Sequence, residues 1–195
     1  SRWLDYTWNW ALFDQPMDWR ALVNAYPTPR FNVNVGTSPR AVKQLFADHL
    51  FLNVLPSKPD GINGSARITD HPELATALTV CAHLHAQFQT YLEDGRLIGD
   101  NFLSEPCREA RVNGYLLPDT ALIVVLNTGT QPRSISFAMA MAPWLRSPSG
   151  RYAITAYDES GINRSTRSEV AATWKETTGV LAPNELALFE VVPEK

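Results

Sequence analysis

Cysteine is scarce in this sequence, and its scarcity excludes one class of fold. Only two cysteines, Cys81 and Cys107, occur in 195 residues, so a disulfide framework does not hold the chain together. One bridge between the two stays open, but a cysteine on a helix face is more often a small buried apolar residue, and we expect that for Cys81. No spacing of cysteine and histidine is typical of a zinc site, and we predict no cofactor.

Long apolar runs and basic clusters are also missing. No segment reaches the roughly 18 consecutive apolar residues of a membrane span, and no charged-then-apolar leader opens the sequence, so we expect neither a membrane helix nor a signal peptide. The formal net charge is −3 at pH 7, without a cluster of lysine and arginine, which argues against nucleic acid or an anionic membrane as a partner. A glycine-rich phosphate loop, a nucleophile elbow and a Ser/His/Asp order are absent as well.

The segment 70–95 carries the clearest periodicity that is present. Its apolar side chains recur three and four positions apart, which is the spacing of one helical face. Asp70 is placed to cap the helix start, Pro72 lies in the first turn where its missing N–H costs nothing, and Asp94-Gly95 predicts a left-handed closing residue. We therefore predict one long helix with four of these side chains facing the core: Leu78, Cys81, His85 and Phe88.

The residues before this helix indicate an α/β order. Residues 31–35 alternate apolar and polar side chains and stop at Gly36, which is typical of a strand. Thr37-Ser38-Pro39 supplies a helix cap followed by proline in the first turn, and an apolar stripe predicts a helix through residue 49. The nearly continuous apolar run 50–55 is expected of a parallel strand covered on both faces. A loop rich in proline and glycine, residues 56–69, follows the carboxyl end of that strand.

After Gly95 the pattern changes to short apolar segments separated by turn residues. Six or seven such segments follow one another up to residue 192, and strands at this spacing are typical of an antiparallel sandwich. The sequence therefore predicts two domains, an α/β segment over residues 1–95 and an antiparallel β-sandwich domain over residues 96–195, with the sandwich strands from about residue 105.

Three segments in this order resemble part of a known enzyme family. They are residues 52–56 with Asp60-Gly61 beyond them, the helix end at residues 91–96, and the apolar strand at residues 121–127. Together they resemble the C-terminal part of a (β/α)8-barrel glycoside hydrolase with its C-terminal β-sandwich domain. The resemblance implies a fold that is α/β followed by all-β, with the last βα units of a TIM-like barrel in residues 1–95. It also implies the C-terminal portion of a carbohydrate-active hydrolase that supplies the final barrel elements and an accessory sandwich.

Two aspartates are the candidates for catalysis under this resemblance. Glycoside hydrolysis needs two carboxyl groups about 5 to 10 Å apart. Asp60 follows the second predicted strand and Asp5 lies between Trp3 and Trp8, but Asp60 also fits a plain turn and Asp5 a solvated residue beside packed aromatics. In barrels of this kind the catalytic carboxylates usually come from middle strands, so we expect the catalytic pair to be incomplete in this chain.

Carbohydrate is the partner that the aromatic start of the chain favours. Flat indole rings flanked by acceptors suit the C–H face and hydroxyl rim of a sugar, and the candidates for substrate binding are Trp3, Trp8, Trp10, Lys58 and Asn63. Aromatic packing and a solvated loop are the alternative interpretations. Two hypotheses of function remain, a portion of a glycoside hydrolase and a non-catalytic carbohydrate- or protein-binding module.

Unpaired strand edges predict a further contact in the first half of the chain. A parallel pair at 31–35 and 50–55 leaves backbone N–H and C=O groups unpaired on its outer sides. We expect a stretch such as Asp5 to Trp10 to add a strand with an aromatic lid. Otherwise residues 31–35 pair with a second copy in a homo-oligomer or with a missing N-terminal barrel half.

Overall fold

The chain divides into two compact units, Ser1–Ala82 and His83–Lys195. The computed structural model describes residues 6–7, 30–31, 33–34, 39–48, 54–55, 70–108, 110–169 and 173–195. The division falls inside a long helix. The domain boundary predicted at residue 95 refers to parts of the chain that fold independently, and it stays a prediction.

The described residues of the first unit form two short parallel strand pairs, one helix and the start of the long helix. Strand β1 (Tyr6–Thr7) pairs with β2 (Arg30–Phe31), and β3 (Val33–Asn34) pairs with β4 (Val54–Leu55). A strand thus forms within residues 5–10, as predicted, but it pairs with Arg30–Phe31 in a sheet separate from that of β3 and β4. Helix α1 (Pro39–Ala47) lies between β3 and β4 in the sequence. Its apolar stripe is buried, as the sequence predicted, at Val42, Leu45 and Phe46.

The prediction that residues 1–95 form the last βα units of a TIM-like barrel is wrong. The structure is mainly β with few helices, and its large sheet is antiparallel. Each parallel pair has two residues per strand and lies in its own two-stranded sheet. A barrel needs every strand to pair on both sides in one closed sheet. A strand, helix, strand pattern identifies one local crossover, but it carries no information about whether further strands join it.

The long helix forms as two pieces, α2 (Pro72–Gln87) and α3 (Gln89–Glu93), with Phe88 between them. Its buried positions are Leu74, Ala77, Cys81, Leu84 and Phe88, spaced three and four residues apart. The predicted core positions Cys81 and Phe88 are confirmed, whereas Leu78 and His85 are only partly buried. The periodicity was compatible with burial of either edge of the apolar helix face. The fold buries the edge that carries Ala77 and Leu84. No disulfide joins Cys81 and Cys107.

The end of α3 depends on glycine for a reason other than the predicted one. Gly95 does not adopt a positive φ angle, so the prediction of a left-handed closing residue is wrong. The Gly95 N–H instead donates to the carbonyl oxygen of Tyr91 at 3.1 Å. A Cβ atom at residue 95 would collide with that carbonyl oxygen, so only glycine allows this close approach.

The second unit contains the antiparallel strands that the sequence predicted. A six-stranded sheet has the order β10-β9-β12-β7-β6-β5, and β11 pairs with β8 in a second sheet. All of these pairings are antiparallel. The strands are β5 (Arg96–Gly99), β6 (Ala110–Leu116), β7 (Ala121–Asn127), β8 (Arg133–Ala140), β9 (Tyr152–Asp158), β10 (Asn163–Glu169), β11 (Thr173–Leu181) and β12 (Leu186–Pro193).

The core of this unit lies between the two sheets. Ile123 and Val125 of β7 share one buried cluster with Ile135 and Met139 of β8, and the rings of Phe137 and Phe189 meet edge to face with centroids 5.8 Å apart. Strand β7 is buried at every position. Because side chains alternate between the faces of a strand, a fully buried β7 means that the large sheet is covered on both faces at this strand. This explains its apolar run without alternation.

Asn127 fixes the turn that follows β7. Its side chain is fully buried, and its Nδ2 atom donates to the carbonyl oxygens of Gln131, Leu181 and Ala182 at 3.0 to 3.2 Å. Its Oδ1 atom accepts from the Gly129 N–H at 2.9 Å. One amide thus joins the β7–β8 turn to the end of β11.

None of the helices in the described part of the chain is both long and apolar enough to cross a bilayer.

Candidate functional site

The residues that the sequence selected as site candidates all lie outside the described residues. Their predicted roles in catalysis and sugar binding therefore stay predictions. They are Asp5 and Asp60 for catalysis and Trp3, Trp8, Trp10, Lys58 and Asn63 for substrate binding. Among the residues that are described, no three side chains of histidine, cysteine, aspartate or glutamate lie together as metal ligands would.

Glu190 on β12 lies between two tyrosines. The Tyr91 hydroxyl donates to Oε1 at 2.7 Å, and the Tyr157 hydroxyl donates to Oε2 at 3.2 Å. Burial raises the pKa of both phenols, and the neighbouring Glu190 raises it further, so both remain donors at neutral pH. Phe88 meets the Tyr157 ring edge to face at 5.1 Å. This cluster therefore fixes α3 to the large sheet, and both carboxylate oxygens are engaged in doing so.

Among the carboxylates that form ion pairs in the described residues, that of Glu176 on β11 is the most deeply buried. Its side chain is 3% exposed, and it pairs with Arg167 of β10. Its Oε1 atom also accepts from the Thr177 N–H at 2.9 Å, and Arg167 Nε donates to Glu169 at 2.9 Å. Burial lowers the pKa of Arg167, but Glu176 and Glu169 outweigh that effect and raise it above its usual value. The pair links the two sheets of the sandwich.

Asp158 organises the turn between β9 and β10. Its Oδ1 atom accepts from the N–H groups of Ser160 and Ile162 at 2.9 and 3.0 Å, and Arg164 pairs with its other oxygen. Burial would raise the Asp158 pKa, but hydrogen bonds from the Ser160 hydroxyl, the Ile162 N–H and Arg164 lower it below its ordinary value of 3.8. Gly161, at φ +77°, accepts from the Gln87 amide through its carbonyl oxygen at 3.0 Å. The three carboxylates Glu190, Glu176 and Asp158 thus hold the fold together.

An open depression lies at the loop between β8 and β9. Tyr152 forms part of it and is held in place, because its hydroxyl donates to the Leu145 carbonyl oxygen at 2.8 Å. Burial raises the Tyr152 pKa, and its ring lies 5.3 Å from that of Trp174. The lining is mostly apolar, with polar groups at the rim: Ala142, Leu145, Arg146, Ser147, Pro148 and Tyr152.

A polar network supports one side of this depression. Ser147 Oγ donates to the Arg151 carbonyl oxygen at 2.6 Å, and Ser149 Oγ donates to the Glu194 carbonyl oxygen at 2.8 Å. Arg151 Nε donates to the Glu194 carboxylate at 3.0 Å. Hydrogen bonding by Ser168, and then by Arg151, lowers the Glu194 pKa. Arg151 is therefore neutralised by its partner.

Sequence reasoning missed this depression. The available signal was the loop after β8, where Trp144, Arg146 and Pro148 interrupt the regular alternation of strands and short turns. A long loop that carries a tryptophan and an arginine is a better binding candidate than a tight turn. Sequence order alone does not show whether these side chains converge.

Comparison with known proteins identifies the fold. No protein-family model and no curated protein matches the chain. A solved structure named "Glycoside hydrolase" matches over 100% of this chain and 54% of that one, with 13% identity and a TM-score of 0.61. The alpha-galactosidase I of Mortierella vinacea matches over 90% of this chain and 43% of that one, with 10% identity and a TM-score of 0.54.

These likenesses show a fold and its extent. The chain has a glycoside hydrolase-like fold, and it spans about half the length of the solved structures that it resembles. The predicted resemblance to glycoside hydrolases is confirmed at this level, without the predicted TIM-like barrel units.

Proposed function

We propose that this chain is the C-terminal portion of a carbohydrate-active hydrolase and that its sandwich is an accessory domain. One observation carries the proposal. The whole chain matches a glycoside hydrolase in fold, while it covers only 54% of that protein's length. A chain of this extent accounts for part of such an enzyme, with the remainder supplied by further polypeptide.

The roles of the described carboxylates support a structural sandwich and a catalytic pair located elsewhere. A glycosidase needs one carboxyl group free to donate a proton and a second one free to attack or to activate water. Glu190, Glu176 and Asp158 instead accept hydrogen bonds that join strands, turns and a helix. In the proposal the sandwich therefore supports the enzyme, and the catalytic pair is completed outside this chain.

The N-terminal tryptophans provide the sugar contact in this proposal. Trp3, Trp8 and Trp10 offer apolar faces for the C–H side of a pyranose ring, and Lys58 and Asn63 offer donors to its hydroxyl groups. Replacing Trp8 and Trp10 by alanine should weaken binding of an oligosaccharide. Replacing Trp19, which has no role in the proposal, is the matched control.

Hydrolysis of chromogenic glycosides tests the proposal. The chain is expressed alone and within the longest polypeptide that its gene encodes, and both are assayed on the same panel of glycosides. We expect hydrolysis by the longer polypeptide and at most trace activity in the chain alone. A longer polypeptide that hydrolyses no glycoside and binds no glycan would contradict the proposal.

The depression on the sandwich favours a second candidate function, a non-catalytic binding module. Its open shape, apolar lining and polar rim suit a saccharide or a peptide. Glycan-array binding by the longest polypeptide, without hydrolysis of any array member, would support the module over the hydrolase.

A further inference from the structure

Arg146 lies at the edge of the depression without a counterion among the described residues. It is exposed, and it makes no hydrogen bond or ion pair with any residue that the structure describes. Arg151, on the same loop, is neutralised by Glu194. An exposed guanidinium beside a concave surface provides up to five N–H donors in a fixed fork, a geometry that matches a carboxylate.

A second guanidinium lies beside the same loop. The Arg96 side chain lies over the Trp144 ring, 5.8 Å from its centroid, and it has no carboxylate partner among the described residues. Trp144 precedes Arg146 by two residues. The chain as a whole carries a net charge of −3, so this loop is locally positive on a protein that is negative overall. The local charge favours an anionic ligand.

The loop is held in one conformation before any ligand arrives. The N–H groups of Trp144 and Leu145 both donate to the Met141 carbonyl oxygen at 2.8 Å. Tyr152 binds the Leu145 carbonyl oxygen, and Ser147 binds Arg151, as described above. A loop held in this way loses little entropy on binding, which is the condition for useful affinity at a small site.

We propose that this depression binds a uronic acid unit of an acidic polysaccharide. The sugar carboxylate pairs with the Arg146 guanidinium in a charge-assisted contact, and the C–H face of the ring lies on the apolar wall, where Ala142 and Pro148 are exposed. One guanidinium in the lining suits a single carboxylate on an otherwise neutral ring. A polyphosphate backbone would require a longer basic surface than this loop provides.

Binding of oligogalacturonate tests the proposal by calorimetry. The fully methyl-esterified oligomer is the matched neutral probe, since it has the same length without the charge. We expect the acid form to bind, the ester to bind at least about tenfold more weakly, as for the loss of one charge-assisted contact, and the affinity to fall as salt rises.

Variants at Arg146 locate the contact. Arg146→Ala should lower the affinity at least about tenfold, and Arg146→Lys should retain part of it because the charge remains. Arg108→Ala is the matched control, since Arg108 is also exposed and has no partner among the described residues. All three should keep the thermal midpoint of the parent.

Three outcomes would overturn the proposal. The acid and the ester oligomers could bind with equal affinity, or the Arg146 and Arg108 variants could lose affinity equally. Citrate could also displace the acid oligomer as well as unlabelled acid oligomer does. This readout is binding on the sandwich, so it is independent of hydrolysis. A chain that binds the acid oligomer while the longer polypeptide lacks glycosidase activity would refute only the proposed function.

Discussion

Removal of Arg167 is the perturbation for which the structure predicts the clearest loss of stability. Its guanidinium is the partner of a Glu176 side chain that is 3% exposed. Truncation of one member of a buried ion pair costs about 3 to 5 kcal/mol, because a charge is left in a poorly solvated place. Arg167 itself is 36% exposed, so water partly replaces it, and we expect Arg167→Ala to lower the free energy of unfolding by about 2 to 3 kcal/mol.

Arg164 on the same strand supplies the matched control. Its side chain is 63% exposed, and its partner Asp158 is 20% exposed and keeps the donors of Ser160 and Ile162. An exposed pair contributes about 0 to 1 kcal/mol. Arg164→Ala should therefore change the free energy of unfolding by less than half as much as Arg167→Ala.

Urea unfolding followed by circular dichroism measures both values. The double variant Arg167→Met/Glu176→Leu adds a second test, because replacing a buried pair by apolar side chains of similar volume is often neutral or stabilising. It should recover most of the stability lost in Arg167→Ala. Equal losses of under about 0.5 kcal/mol in both single variants, the range of ordinary surface substitutions, would refute the assignment of a buried pair.

Burial and hydrogen bonding also determine the effects expected for substitutions at Leu84, Asn127 and Asp158. Leu84→Ala should lower the free energy of unfolding in urea by about 2 to 5 kcal/mol, because Leu84 is fully buried. Leu78→Ala should lower it by less than half as much, because Leu78 is only partly buried. Equal losses would contradict the observed helix face. Asn127→Asp should destabilise the fold by about 2 to 4 kcal/mol, since the new carboxylate faces three carbonyl oxygens that need a donor, and an unchanged urea midpoint would contradict this. The lowered pKa of Asp158 stabilises the fold at pH values above the unfolded pKa, and this contribution is lost as pH falls through the folded pKa. The difference in unfolding free energy between the parent and Asp158→Asn should therefore disappear below about pH 4. A difference that does not change with pH would argue against this origin.

The long helix shows how far its sequence pattern reaches. Periodicity located the helix and predicted burial of Cys81 and Phe88, both confirmed. It placed Leu78 and His85 in the core, where the structure has Ala77 and Leu84. Because 3.6 residues make a turn, two neighbouring stripes fit the same apolar positions, and the packing surface selects one of them.

The depression at the β8–β9 loop shows the opposite case. Trp144, Arg146 and Pro148 stand close together in the sequence, yet nothing in that order tells that Tyr152 closes one side or that Arg151 is neutralised by Glu194, 43 positions away. A side chain is identified as unpaired only when the surroundings of its charge are known. Contacts between distant segments determine those surroundings.

The sequence by itself determined the local elements and the antiparallel second half. Alternation within strands and turn residues between them predicted the sandwich, because side-chain direction along a strand depends only on neighbouring residues. Only the tertiary structure decided which strands join one sheet. The predicted barrel failed at that step, since the strand, helix, strand segment at 33–55 forms a two-residue parallel pair in its own small sheet. Sheet membership depends on hydrogen bonds between segments far apart in the chain, and a local pattern carries no record of them.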